Sequence, residues 1–204
     1  TGVQTCALPI SLAISAEWID RVKAALPELP GAMRERFVAD YQLSEYDAMV
    51  LTQSKAMAAY FAERAKGEVG LIITGGVSPN KEGRLWPGAI CFNADEQISK
   101  HQIITHAVHE AGGKIAMQIL HAGRYGVHDK CVSASAIQAP INIYTPRALT
   151  VEEIQTTIQD FANCARRAEE AGYDGIEIMG SEGYFLHQFI APRTNKREDE
   201  YGGT

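Results

Sequence analysis

Apolar positions recur along the chain in two different rhythms, and the change from one to the other falls near residue 62. From Ser11 to about Phe61 the spacing is helical. Trp18, Ile19, Val22 and Leu26 follow at spacings of one, three and four behind Ser15, a residue type that caps helices, and Pro27 with Pro30 stops the run. A second helix is expected from about Gly31, burying Met33, Phe37 and Tyr41. A third is expected after Ser44, whose partner three residues on is Asp47 rather than the preferred Glu; it carries Met49, Val50, Met57, Tyr60 and Phe61.

From about Ala62 onward, short apolar runs alternate with amphipathic helices. Val69 to Gly76, Gly113 to Arg124 and Gly172 to Gly180 each read as a buried parallel strand followed by a glycine-containing loop. Between the first two, Asn93 or Asp95 is expected to open a helix with Ile98, Ile103, Ile104, Ala107 and Val108 facing inward, ended by Gly112 and Gly113. Thr150 and Glu153 form a capping box for a helix whose inner face is Ile154, Ile158, Phe161, Ala165 and Ala168. Strands alternating with helices predict a parallel α/β sheet covered by helices. The Pro- and Ser-containing stretch before Thr150 is too long for a simple connection, and loops of that length usually carry function or disorder.

Composition narrows this little. The 204 residues are 46% hydrophobic and 22% charged, with 19 basic against 25 acidic side chains and a formal net charge of -6, the profile of an ordinary globular chain. The acidic balance gives no electrostatic case for coating nucleic acid. No apolar run approaches the ~20 residues of a membrane span, and the start of the chain lacks a signal peptide's pattern, so the cytoplasm is expected and no membrane partner. Cys6, Cys91, Cys131 and Cys164 are scattered without a CxxC pair, which points to reduced thiols. His101, His106 and His109 share one helix without carboxylates at ligand spacing, and no metal site is expected.

In parallel α/β architectures ligands bind at the carboxyl ends of the strands. The candidates there are Thr74, Gly75 and Gly76; Gln118, His121 and Arg124; and Met179, Glu182 and Tyr184. Gln118 is an amide near the end of a buried strand, where a flat heterocycle with donors and acceptors would satisfy it. Gly75 and Gly76 let such a ligand approach the backbone. Tyr184 offers a weak acid suited to protonating carbon opposite a hydride donor. Arg193, Asn195, Lys196 and Arg197 form a basic stretch able to hold phosphates. Each of these has a plain structural reading as well, since surface charges are usually only solvated.

These residues lie within AERAKGEVGLIITGGVSPN, GGKIAMQILHAGRYG, SASAIQAPIN and AGYDGIEIMGSEGYFLHQFIAPRTNKREDEYGG. Together these motifs resemble the flavin-binding barrel of the Old Yellow Enzyme family, and specifically its 2,4-dienoyl-CoA reductase branch. In the wider family the third of these strands ends in a His-containing pattern that binds the substrate carbonyl; Met179 and Glu182 stand there instead, as is typical of that branch. The resemblance implies a partial TIM (β/α)8 barrel, about strands two to four, preceded by a small helical segment. It implies FMN contacted by Gly76 and Gln118, with Tyr184 as proton donor. It also implies Arg193, Thr194, Asn195 and Lys196 near an unsaturated acyl-CoA substrate, NAD(P)H as reductant, and FAD and a 4Fe-4S centre in segments beyond this chain.

Residues 11 to 61 carry a different resemblance. ALPELP followed by RERFVADYQLSEYDAMVLT is similar to the component of the glutamyl/aspartyl-tRNA amidotransferase whose helical domain engages tRNA, which implies tRNA contacts for that segment. TGVQTCALPI resembles a translated sequencing adapter. The expected organisation is therefore an artefactual tail over 1–10, an amidotransferase-like helical segment over 11–61, and a truncated FMN-binding domain over 62–204. A barrel of this type needs about 250 residues, so the chain by itself is expected to be inactive and to retain no flavin.

Overall fold

A computed structural model describes residues 15–25, 30–41 and 45–203 of the chain. The expected tail, Cys6 and the Ser44 cap lie outside these residues. The chain divides into two units, 1–52 and 53–204, with the division inside a continuous helix.

In the first unit, α1 (Ala16–Ala25) begins at Ser15, whose hydroxyl accepts from the Trp18 N–H at 3.2 Å as a capping residue should. Its apolar stripe forms but stays partly open: Trp18, Ile19 and Val22 are each more than a third exposed. The next helix, α2 (Pro30–Tyr41), starts on a proline, which suits a first helical position because its missing N–H has no partner there. Phe37 is buried, as its spacing predicts, and Met33 is half-buried. Helix α3 (Glu45–Lys66) runs well past the expected end near Phe61.

The second unit is built on three parallel strands in the order β1 (Ile72–Ile73), β2 (Ile115–Ile119), β5 (Gly175–Ile178). Register pairs Ile73 with Ala116 and Gln118 with Glu177. Alternation along β2 sends Ile115, Met117 and Ile119, all fully buried, to one side and Gln118 to the other. The apolar side packs on Ala58, Phe61 and Ala65 of α3, Ile104 and Val108 of α4 (Ile98–Glu110), and Cys164 and Ala168 of α5 (Val151–Glu170). Each Ile, Val, Met or Phe of this layer contributes about 1.5–3 kcal/mol on burial.

Several expectations shift by one helical position. Ile103 and Ile158 point outward, and Thr105, Thr157 and Cys164 take the buried places beside Ile104 and Ile154. Thr105 is accommodated by donating to the Ala171 carbonyl at 2.6 Å, and Thr157 by donating to the Glu153 carbonyl at 2.8 Å. The strands are shorter than predicted and β5 is not fully buried: Ile176 and Ile178 are 40% and 46% exposed, because β5 pairs only with β2. A short 3-10 turn, Asp95–Gln97, leads into α4, and it is Gln97 that caps, its Oε1 accepting from the Asn93 and Ala94 N–H groups at 3.0 Å each. Asp95 instead pairs with Arg166 and Arg167 of α5. The predicted capping box of α5 forms, Thr150 Oγ1 accepting from Glu153 N–H and Glu153 Oε2 from Thr150 N–H.

The long connection after β2 is ordered by a parallel pair of two-residue strands, β3 (Val132–Ser133) and β4 (Arg147–Ala148). A last short helix, α6 (Phe185–Ile190), follows β5. The α4 histidines go to three separate partners: His101 to Tyr173, His106 to Glu110 and His109 to Asp174. Cys91, Cys131 and Cys164 are free thiols. Among the described residues no helix is long and apolar enough to cross a membrane.

A candidate cofactor and substrate cavity at the strand ends

A cavity of about 490 Å³ lies at the carboxyl ends of the three strands. It gathers residues from all three predicted sets, Thr74, Gly75 and Gly76 after β1, Gln118 of β2, and Met179, Glu182 and Tyr184 after β5, and adds Leu120 from the loop after β2. Thr74 is buried, and its Oγ1 accepts from the Gln118 N–H at 3.0 Å, which locks the end of β1 to β2.

The Gln118 side-chain amide has no hydrogen-bond partner among the described residues and opens on the cavity. Glu177, its neighbour across the ladder, holds a buried Oε2 that likewise finds no partner. Leaving a buried group such as Glu177 Oε2 unpaired costs about 1–3 kcal/mol, and the Gln118 amide faces open cavity, so this side of the sheet offers polar groups to a ligand or solvent. A methyl group added at Gly75 would meet nothing within 4 Å, so the backbone there borders free space. Gly76 is glycine for another reason: a Cβ would lie 2.8 Å from Leu120 Cβ. A planar heterocycle with donors and acceptors on its edge fits this combination of bare backbone and unsatisfied amide.

Tyr184 stands at the N-cap of α6, behind a turn in which Glu182 and Gly183 both take left-handed backbone angles, φ 59° and 82°. Holding a glutamate there costs on the order of 1 kcal/mol, and such outliers concentrate at functional sites. The turn is closed by Tyr184 N–H donating to the Ser181 carbonyl at 3.2 Å. Tyr125 braces the phenol ring edge-on, centroids 5.6 Å apart. A second cavity of about 480 Å³ shares Leu85, Trp86, Glu182 and Tyr184 with the first and continues along Tyr125, Val127 and Ile141. Tyr184 and Trp86 therefore line both spaces.

Other predicted positions lie elsewhere. The fully buried His121 ring packs at a tilt against Phe185, centroids 4.1 Å apart, and its Nδ1 accepts from Gly123 N–H at 3.1 Å, so the proton sits on Nε2, which has no partner among the described residues. Burial, with the charge of His128 adding, pushes its pKa down to about 3. Arg124 reaches the Gln138 carbonyl at 3.5 Å, away from the cavity lining. Thr194 and Asn195 are buried and commit their side chains internally: Thr194 Oγ1 donates to the Gln188 carbonyl at 3.0 Å, and Asn195 Nδ2 to the Phe189 and Tyr201 carbonyls at 2.8 and 2.7 Å. Arg193 and Lys196 are exposed, and Lys196 N–H donates to Ser135 Oγ. None of the four lines either cavity. Arg197 ties the stretch to the β3–β4 region through the Ala134 and Leu149 carbonyls and pairs with Asp199.

Sequence reasoning missed Trp86, Glu177 and Gln188. Trp86 sits in a Gly- and Pro-rich loop, and Glu177 interrupts an apolar run; both are signals of a position held for something other than packing.

The sequence pattern of the NADH:flavin oxidoreductase / NADH oxidase family matches residues 32–204. The chain is 40% identical over 146 residues to an NADPH dehydrogenase of Geobacillus sp., covering 71% of this chain and 43% of that protein. Among solved structures, the Old Yellow Enzyme homologue of Zymomonas mobilis is similar with a TM-score of 0.67 and 38% identity over 72% of this chain and 45% of that one. Morphinone reductase in complex with tetrahydroNAD is similar with a TM-score of 0.68 and 30% identity over 72% and 46%. The chain thus spans less than half the length of these relatives.

Proposed function

Because the chain belongs to the NADH:flavin oxidoreductase / NADH oxidase family of FMN-dependent oxidoreductases, we propose that its second unit carries one wall of the flavin site and the proton donor of an NAD(P)H-linked ene reductase. The observation that carries this reading is the cavity itself, where the unpartnered amide of Gln118, the open backbone at Gly75 and the phenol of Tyr184 meet. Gln118 would hold the edge of the flavin ring, and the bare Gly75–Gly76 backbone would leave room for it beside β1. The chemistry supplied by FMN, when bound, is hydride transfer to an activated C=C bond. Tyr184 holds the proton on its phenol oxygen and delivers it to the neighbouring carbon, so a hydride and a proton add across the double bond.

The finer reading is an unsaturated acyl-CoA substrate, with parts of the larger protein outside this chain contributing FAD and a 4Fe-4S centre. It is supported by Met179 and Glu182 lining the cavity beside Tyr184. Arg193 and Lys196 are the cations available to a substrate phosphate, displayed on a loop that Thr194 and Asn195 fix from within.

Titrating the chain with FMN tests the site, and Trp86 is its reporter. A saturable loss of tryptophan fluorescence is expected, one that persists in Trp18→Phe, disappears in Trp86→Phe and weakens about tenfold in Gln118→Leu, the worth of one hydrogen bond to a polar ring. No saturable change would overturn the reading. Tyr184→Phe keeps the ring and removes the acid; it should leave that titration unchanged, and the same exchange at the matching tyrosine of a full-length relative should slow NADPH-dependent C=C reduction about 10²-fold. An unchanged rate would remove Tyr184 from the proton-transfer role.

A further inference from the structure

Gln188, on α6, is 1% exposed and uses every hydrogen-bonding position of its amide. Its Oε1 accepts from the Arg124 N–H at 3.0 Å and the Ser133 hydroxyl at 2.8 Å. Its Nε2 donates to the Gly183 carbonyl at 2.7 Å and the Ala122 carbonyl at 3.3 Å. The partners come from three separate segments: backbone groups of the loop after β2 and of the turn after β5, and the Ser133 hydroxyl of β3. The shortest contact falls on Gly183, immediately before Tyr184. Loop backbone on a protein surface ordinarily turns such groups to water; here a buried amide ties them to the turn that carries Tyr184.

We infer that Gln188 is the positioning residue for Tyr184, and that it acts by donating to the Gly183 carbonyl, a bond that a carboxyl side chain replaces only while it keeps its proton. A glutamate at this position would keep the two contacts made through Oε1. Its other oxygen would face two carbonyl oxygens, and, buried there, the carboxyl would hold its proton well above the ordinary carboxylate range. Below that raised pKa the proton bridges to Gly183 and the turn is held; as pH rises through it, the ionised carboxylate repels both carbonyls and the turn is released.

The titratable and charged groups facing this amide are few. The Arg124 main chain bonds to it, His121 is held neutral by burial, and Glu182 belongs to the turn itself. His187 contacts the same turn, its Nδ1 accepting from the Gly183 N–H at 2.9 Å, so the comparison is made in a His187→Gln background.

The inference rests on the proposed role of Tyr184 only for its catalytic meaning, and the test needs no flavin, so the two can fail separately. The chain is labelled with 3-fluorotyrosine, and the Tyr184 signal among the eight tyrosines is assigned by its loss in Tyr184→Phe. In Gln188→Glu that signal is expected to coincide with the parent's at pH 5.5 and to differ from the parent's recorded at the same pH by pH 8.5, while the Tyr60 signal coincides with the parent's at both values. In Gln188→Leu it should be displaced at both values. A Tyr184 signal in Gln188→Glu that follows the parent's across the whole range overturns the inference. So does a Gln188→Glu chain that is unfolded even at pH 5.5, since the protonated carboxyl supplies the same donor. Should Gln188→Leu fail to fold, the glutamate variant decides alone.

Discussion

Gly123→Ala is expected to destabilise the second unit by about 3 kcal/mol or more, whereas Gly75→Ala, which also adds one methyl group at the rim of the cavity, is expected to stay within about 1 kcal/mol of the parent. Gly123 sits at φ 60°, a backbone conformation that costs an alanine about 1 kcal/mol. Its missing side chain also makes the room that the Gln188 amide fills: an added Cβ would collide with Oε1 and lie 2.5–2.6 Å from Nε2 and Cδ. The amide cannot yield without giving up bonds to Ala122, Arg124, Ser133 and Gly183, and each polar group left unpaired in the interior costs about 1–3 kcal/mol. At Gly75 the same methyl group enters open space. Urea unfolding midpoints at constant slope separate the two variants. A Gly123→Ala midpoint equal to the parent's would show that the amide is not held where its four bonds place it. Gly75→Ala carries its penalty instead in FMN binding, because the space it enters is the space assigned to the ring.

The positions of the strands and the identity of the strand-end residues were legible because both follow from local pattern. Ile115, Met117 and Ile119 alternate with Gln118, and Thr150 with Glu153 announces a helix start that the structure reproduces bond for bond. What was not legible depends on partners distant in sequence. The basic stretch from Arg193 looks like an anion site because its charges are visible in the sequence, but the bonds from Asn195 to Phe189 and Tyr201, and from Arg197 to Ala134 and Leu149, are not. His121 resembled a strand-end ligand, but its ring is buried against Phe185. Gln188 is the same limitation in reverse. Within FLHQFI it is an unremarked polar residue on a short helix, and its role exists only in the three chain segments that meet around it. The apolar period places elements; the polar groups acquire roles when the fold brings their partners in.

Lowering the pH from 7 to 5 is expected to destabilise the second unit by about 3–4 kcal/mol, through two histidines that the fold keeps neutral. His101 lies flat on Phe92, centroids 4.1 Å apart, with Nδ1 2.9 Å from the Tyr173 hydroxyl; burial pushes its pKa down to about 4. His121, enclosed by Phe161 and Phe185, is pushed to about 3 by burial and then by the charge of His128. Both take up a proton more readily in the unfolded chain, where the value is near 6.5. Their contribution is therefore full above that value and is lost as the pH falls from there toward 4 and 3. At pH 5 each loses about 2 kcal/mol, and the result barely depends on how far below 5 the folded value lies. The carboxylates held low by arginines, Asp95, Glu153 and Asp199, remain ionised at pH 5, so this interval isolates the histidines. Urea midpoints at pH 7 and 5 measure the loss directly. His101→Phe, which keeps the stacking and removes the proton site, should cut the difference by about half whatever it does to stability at pH 7. A parent chain that loses less than about 1 kcal/mol would mean that protons reach these rings in the folded state.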